Sequence, residues 1–563
     1  MKKWKKYLVI LLISIGALFL LTFYGSSPLI NSIVEDKIKD QHFGQIYKLD
    51  FKSAHFNIFE MGIIVKGIVV YPDSSSLMQK QYALHKNIAH IYIKRLSITA
   101  LDFISLIKKE KLHAEKLKLI KPIVSLYKNA HFDQKAFDLQ KEKNGMQQKD
   151  TSKKSFQGVE FARIILKDAL FSLYVDEDKK PDLVLGKVNI NMEHPIVDFQ
   201  MLNAPLKAIS LEDLFLEITK IEYRDKKGLY DIRLNKMTYN FHNQSMELSD
   251  FMVNPRLSKK AFAAKHTFQV DRISLEIASI KMGDLDIDRL LDAGVLAVGK
   301  TRIDQLVFED FRDKNYKFNT NKFPKFPQEA LKTLNAYIEF DSIWVRNAEL
   351  VYTEKAKGAD RIGLVSFKKM EVNIQNLGNT KDFLNNKSLN VQAQSLIYGK
   401  GKLHVKMEFP LNRNVFYVNG HVGSMAIASV NKITIPNIGL KIKKGTVDDL
   451  AFQFYANKTS SKGDLTLEYH DLKVSLIKKQ KKTGRVVDKT ALNLLANTIL
   501  PKQNPDKKGV LYKAKINFER NENKGVFAYL WKSVFSGLKD TFLKKENPEK
   551  KPKKKKKKKK WFS

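Results

Sequence analysis

GDLTLEYHDLKVSLI, residues 463–477, alternates apolar and polar side chains, and this rhythm of two decides how the chain is read. Successive side chains of a strand point to opposite faces, so Leu465, Leu467 and Tyr469 share one face of a half-buried strand. Past His470 the apolar parity moves to Leu472, Val474 and Leu476, and one bulged residue would return these to the same face. The alternation recurs in YKLDF (47–51), HIYIKRLSI (90–98), EKLKLIKPIVSLY (115–127), FARIILKDALFSLY (161–174) and YDIRLNKMTYNF (230–241). Long helical patterns are few. The expected fold class is mainly β, made of many antiparallel strands with a few short amphipathic helices.

The strands also repeat. At an offset of 183 residues Tyr47 meets Tyr230, Leu49 meets Ile232, Phe51 meets Leu234, Phe56 meets Tyr239 and Pro72 meets Pro255. At 184, Ile91 and Ile93 meet Leu275 and Ile277. At 179, Phe161, Ile164, Leu166, Ala169 and Phe171 meet Phe340, Ile343, Val345, Ala348 and Leu350. A near-constant offset over such a span reads as two related halves. The expected segments are an N-terminal stretch 1–27, a first half 28–228, a second half 229–387, a third β region 388–520 and a C-terminal helix with tail, 521–563. The polar stretch 130–158 reads as a loose excursion.

GVLAVGKT, residues 294–301, matches G-x-x-x-x-G-K-[ST], the pattern of a loop that cradles nucleotide phosphates. Such a site needs a strand entering and a helix leaving, so that the helix N-terminus faces the anion. Here Leu285, Ile287, Leu290 and Leu291 give a helical turn before Gly294, and Ile303, Leu306 and Phe308 give a strand after it. The order is reversed, and the match reads as coincidence. The twelve histidines are scattered singly, H-E-x-x-H and G-x-S-x-G are absent, and the chain has no cysteine for thiolate metal sites. No catalytic residue, cofactor or metal ligand is singled out, and no enzyme activity is expected.

The net charge of +39 favours anionic partners. Residues 544–560 hold twelve lysines against Glu546 and Glu549, and Lys2, Lys3, Lys5 and Lys6 precede an uncharged run, YLVILLISIGALFLLTFY (7–24). Eighteen such residues suffice to span a bilayer core, and the flanking lysines place the N-terminus in the cytoplasm with the bulk outside. A cleaved signal peptide is the rival reading, but no A-x-A site follows. Ile30, Ile33, Val34 and Ile38 then recur at helical spacing. An extracytoplasmic address makes membrane lipid the expected partner and nucleic acid an unexpected one.

Several stretches resemble the AsmA-like family, envelope proteins related to TamB and the bridge-like lipid-transfer proteins. They are YKLDFKSAHFNIFEMGIIVKGIVVYP after the anchor, LDFISLIKKEKLHAEKLKLIKPIVSLYKN, and the region around Gly445, Gly463, Tyr469 and Asp471-Leu472-Lys473. The resemblance implies an inner-membrane, single-pass anchor and a long curled antiparallel sheet with an apolar trough in the periplasm. It also implies binding or conveyance of phospholipid there. The alternative it leaves is a scaffold or assembly factor for outer-membrane proteins. The alternating apolar positions are the expected trough lining: Ile91 and Ile93; Leu117, Leu119, Val124 and Leu126; Ile164, Leu166 and Phe171; Ile343, Val345 and Leu350; Leu465 and Leu467. A sandwich or closed barrel would bury the same residues against protein instead.

Near the C-terminus Phe527, Leu530, Trp531, Val534, Phe535 and Leu538 recur at i, i+3, i+4 spacing, with Lys532 and Lys539 nearby. This is the pattern of an interfacial helix on an anionic membrane surface, or of a helix capping the sheet.

Overall fold

The computed structural model describes residues 47–73, 83, 85–102, 112–138, 158–175, 180–198, 209–225, 227–479, 486–488 and 500–543. The apolar run 7–24, the pattern at 30–38, most of the polar excursion and the lysine tail lie outside them. The protein is mainly β, with 62% of it in strands and few helices. It divides into two compact units. The first comprises Met1–Ser258, Ile273–Phe308 and Ala336–Asp341, the second Lys259–Arg272, Glu309–Asn335 and Ser342–Ser563.

In the first unit β1 (Tyr47–Asp50) and β2 (Ser53–Asn57) share the sheet edge, both pairing with β3 (Gly62–Pro72). Next come β4 (Asn87–Leu101), β5 (Leu112–Lys128), β6 (Gly158–Tyr174) and β7 (Leu183–Glu193). Two short strands, β8 (Ile196–Asp198) and β9 (Ile209–Ser210), form a spur beside β6. The ladder continues from β7 to β10 (Asp213–Arg224), β11 (Tyr230–Asn240), β12 (Ser245–Pro255) and β13 (Asp271–Asp286). The sequence leads to the expectation of a purely antiparallel sheet, and this is corrected: β5 and β6 run parallel. The reason lies in the polar excursion, because a crossover of a dozen or more residues lets a chain re-enter in the same direction.

Bulges explain the parity shifts. Lys121 has φ +49° between Leu119 and Val124, and Asp471 has φ +57° between Tyr469 and Leu472. Each takes up one residue in the left-handed region, so the apolar residues on either side stay on one face. The offset read from sequence reappears in hydrogen-bond register. Ile63, Val65, Ile68 and Val70 face Ile98, Leu96, Ile93 and Ile91. At +183 and +184, Met246, Leu248, Phe251 and Val253 face Met282, Ile280, Ile277 and Leu275. Left-handed residues recur too, as Met61 and Gln244, Lys121 and Gln305, Asp168 and Asn347. A slip of one residue would turn each apolar set to the opposite face, so matching register means a matching apolar face.

The strands β14 (Val295–Asp313) and β15 (Tyr337–Lys355) contribute residues to both units. The second unit continues with β16 (Gly363–Gly378), β17 (Ser388–Ile397), β18 (Gly401–Pro410), β19 (Phe416–Val422) and β20 (Met425–Ala426). After these come β21 (Leu440–Ala456), β22 (Ser460–Lys479), β23 (Val486–Asp488) and β24 (Lys513–Glu519). Its main ladder is β16–β17–β18–β19–β21–β22–β24, antiparallel throughout. The named helices are α1 (Lys259–Ala264), α2 (Ile287–Ala293), α3 (Pro327–Lys332), α4 (Lys381–Asn386), α5 (Asn431–Ile438) and α6 (Val526–Leu543).

This second unit has a sealed core. Phe326, Leu411, Phe416, Ala456 and Ala514 are fully buried, with Phe454 and Ile516 nearly so. The aromatic rings of Phe326 and Tyr529 stack 6.4 Å apart, and Phe416 meets each edge-on. Long α6 closes the face of β22 and β24 through Tyr529, Ser533, Gly537 and Thr541, all buried. These recur every four residues and form one stripe.

Candidate functional site

Residues opposite one another across a ladder share a face, so rows can be followed across the first unit's sheet. One row runs Val70, Ile91, Val124, Phe171, Leu185, Ile221, Leu234, Phe251, Ile277, each paired in register with the next. A second runs Val65, Leu96, Leu119, Leu166, Ile190, Leu216, Tyr239, Met246, Met282. Neither row contains a charged residue in nine strands. At about 4.8 Å per strand such a row is roughly 38 Å long, against about 15 Å for one leaflet of hydrocarbon.

Shorter rows flank them. Ile98, Leu117, Ile164 and Met192 lie on one side, and Leu126, Leu173, Leu183 and Tyr223 on the other. Ile93 pairs with Ile68 and Pro122 between the two long rows. The opposite face mixes Lys66, Arg95, Lys118 and Lys167 with apolar side chains.

The rows are covered incompletely. In the first only Leu234 and Ile277 are buried, in the second only Tyr239, and the other members are half-buried. The strands from β3 to β12 pack chiefly on their ladder neighbours, and the buried side chains gather in separate small clusters around Phe161, Ile218 and Leu285. The first unit thus presents an apolar face that its own described residues do not seal.

The expected trough residues separate into two groups. Ile91, Ile93, Leu117, Leu119, Val124, Leu126, Ile164, Leu166 and Phe171 stand in or beside these rows, half-buried. Leu350 is half-buried in the second unit, while Ile343 and Val345 are buried there. Leu465 and Leu467 are corrected outright: at 1% and 2% exposure they are core residues beneath α6. Sequence reading missed Leu185, Ile190, Leu216, Ile221 and Phe251, although LVLGKVNI and DLFLEITKI carry the same alternation.

The terminal helix caps the sheet, but not through the expected stripe. Its stripe of Tyr529, Ser533, Gly537 and Thr541, rather than the apolar stripe, meets the sheet. Phe527 and Trp531 are each 53% exposed and Phe535 is also exposed, whereas Leu530, Val534 and Leu538 are half-buried along the flank.

A partly buried ionic cluster in the second unit was not legible beforehand. Arg312 donates two hydrogen bonds to Asp271, at 2.6 and 2.5 Å. Glu354 accepts from Tyr352 at 2.6 Å and pairs with Lys314 and Asn437. Burial favours a neutral Glu354, but the bonds from Lys314 and Tyr352 outweigh it and hold the carboxyl below its usual range. Asp310, pressed by burial and by the charge of Asp271, is pushed up to about 7.

The phosphate-loop match folds as helix, cap, strand. Gly294 caps α2 with φ +66°, β14 begins at Val295, and Lys300 sits 3.8 Å from Asp284. Its glycine is thus a helix terminator. His421 pairs with Asp449 and His470 with Asp448 at a bulge of β21, and all four side chains stand on its exposed face. Among the described residues no group of three or more His, Asp or Glu is placed to hold a metal ion, and no helix is long and apolar enough to cross a membrane.

Fold and surface together define a mainly β protein with one sealed unit and one whose apolar face stays partly open. Comparison with known proteins narrows this no further: no family model matches the chain, and no curated protein matches it.

Proposed function

We propose that the protein binds phospholipid through its acyl chains along the open apolar face of the first unit and conveys it within the cell envelope. On this reading residues 7–24 anchor it in the inner membrane and the bulk lies in the periplasm. The observation that carries the reading is the pair of uncharged rows crossing nine strands with most members only partly buried. Water against such a face is costly, and each CH₂ removed from it contributes about 0.8 kcal/mol. Acyl chains lying along the rows supply that cover with no fixed register, so a lipid slides without breaking specific bonds. Its headgroup stays in water.

The test is mass spectrometry of lipid extracted from the purified full chain, with a photoreactive residue placed at Leu119 or at Leu465. Phospholipid recovered, and crosslinked from Leu119 but not from Leu465, supports the reading. Protein that carries no lipid would favour the scaffold for outer-membrane protein assembly instead.

A further inference from the structure

The helix α6 has a face that the lipid-binding surface does not use. Phe527, Trp531 and Phe535 are spaced by four and therefore stand in one line, exposed, on the side away from Tyr529, Ser533, Gly537 and Thr541. The rings of Trp531 and Phe535 lie 6.0 Å apart. Phe527 also reaches Tyr352, ring centroids 6.3 Å apart, while Trp531 and Phe535 lean on each other.

Cations frame this line. Lys532 lies over Phe535 at 5.6 Å, and Lys524, just before the helix, lies over Phe318 at 5.7 Å. Burial, then the charges of Lys532, Lys314 and Arg312, press the Lys524 ammonium below its usual range. Lys314 and Arg312 have carboxylate partners in Glu354 and Asp271. Glu354 also attracts Lys524, and Asp310 adds to Asp271 on Arg312, but the cations here still outnumber the carboxylates and favour a further anion. Immediately after Leu543 the sequence adds twelve lysines in its last twenty residues, closing with Trp561-Phe562.

We infer that the outward face of α6 is a docking surface for an anionic bilayer, with Phe527, Trp531 and Phe535 at headgroup depth and Lys524 and Lys532 against lipid phosphates. Aromatic side chains favour that depth, and a basic helix gains from both apolar burial and attraction to acidic lipid. The lysine run adds attraction over a Debye length, which salt weakens. The Ser461–Ser533 hydroxyl contact of 2.8 Å, and the hydrogen bond from the Tyr529 hydroxyl to the Asn457 carbonyl at 3.2 Å, tie the helix to the sheet. Docking therefore holds the second unit itself at the membrane. This inference is independent of what the first unit binds.

The full chain is held on beads by an N-terminal tag and offered vesicles of phosphatidylcholine alone or with one-third phosphatidylglycerol. Docking predicts capture of the phosphatidylglycerol vesicles well above the phosphatidylcholine background. In Lys524→Gln/Lys532→Gln, and in Trp531→Ser/Phe535→Ser, capture falls about tenfold or more. Undiminished capture by both variants, with loss only on deleting residues 544–563, would overturn it, since the tail alone would then suffice. Equal capture of both vesicle types overturns it as well. A second readout needs no loss of function: with Trp4, Trp344 and Trp561 changed to Phe, brominated phosphatidylglycerol should quench Trp531. Absence of quenching counts against the inference.

Discussion

Gly537 rides so close over Leu465 that a Cβ on the glycine would lie 2.9 Å from Leu465 Cβ and 3.0 Å from Ile516 Cγ1. Helix and sheet approach to this distance because the helix offers Ser533, Gly537 and Thr541 there instead of its large side chains. The contact seals the second unit and leaves the aromatic line facing out.

Gly537→Leu is accordingly expected to destabilise the second unit by about 1–3 kcal/mol, because overpacking forces side chains or backbone to move. Gains in helix propensity, about 1 kcal/mol for replacing glycine, offset part of this. Denaturant unfolding followed at Trp531 measures it; an unchanged midpoint would show that the helix packs less tightly than described.

The first unit predicts the opposite response. Leu119→Asp and Leu166→Asp put carboxylates into a half-exposed row, where water still reaches them, so the melting temperature should shift little. Recovered lipid should fall several-fold. If both properties fall together, the row is core and not a surface.

The repeated register makes a matched pair of predictions. The Tyr47 hydroxyl accepts from the Ala89 N–H at 3.0 Å, and the Tyr230 hydroxyl accepts from the Ile273 N–H at 3.2 Å. Tyr47→Phe and Tyr230→Phe should each cost about 0.5–1.5 kcal/mol. Amide exchange should quicken at Ala89 in the one and Ile273 in the other. Unequal costs would mean that the two bonds are not structural equivalents.

Asp310 gives a pH dependence with a definite sign. Its carboxyl is raised from 3.8 unfolded to about 7 folded, so the native state binds the extra proton between those values. Its contribution is fully present below pH 3.8 and is lost as pH rises through about 7. Thermal melts at pH 5 and pH 8 should therefore differ, with the lower pH favouring the second unit. Asp310→Asn should narrow the difference, and a variant with the same pH profile as the parent would exclude Asp310 as its source.

Much of this architecture was legible in advance. The alternation in 115–127 and 161–174, the offset joining Tyr47 to Tyr230, and the bulge after Tyr469 are properties of neighbouring residues, and neighbours are what a sequence presents directly. The order of elements around Gly294 was readable for the same reason. Three things were not. The parallel pairing of β5 with β6 depends on where the chain re-enters after an excursion whose residues record only its polarity. The Arg312–Asp271 pair joins residues 41 apart with no local signal. The line of Phe527, Trp531 and Phe535 is apolar enough to suit the sheet, yet the contact is made at Gly537.

The sequence by itself determined which side chains share a face, because the pleat alternates with strict period two and bulges announce themselves as parity shifts. Only the tertiary structure decided which faces are closed. Leu119 and Leu465 sit in equally regular alternation, yet the first is half-exposed in a row and the second lies beneath a helix that folds back from residues 526–543. The physical reason is that periodicity encodes a side chain's direction, while burial depends on what distant segment arrives above it.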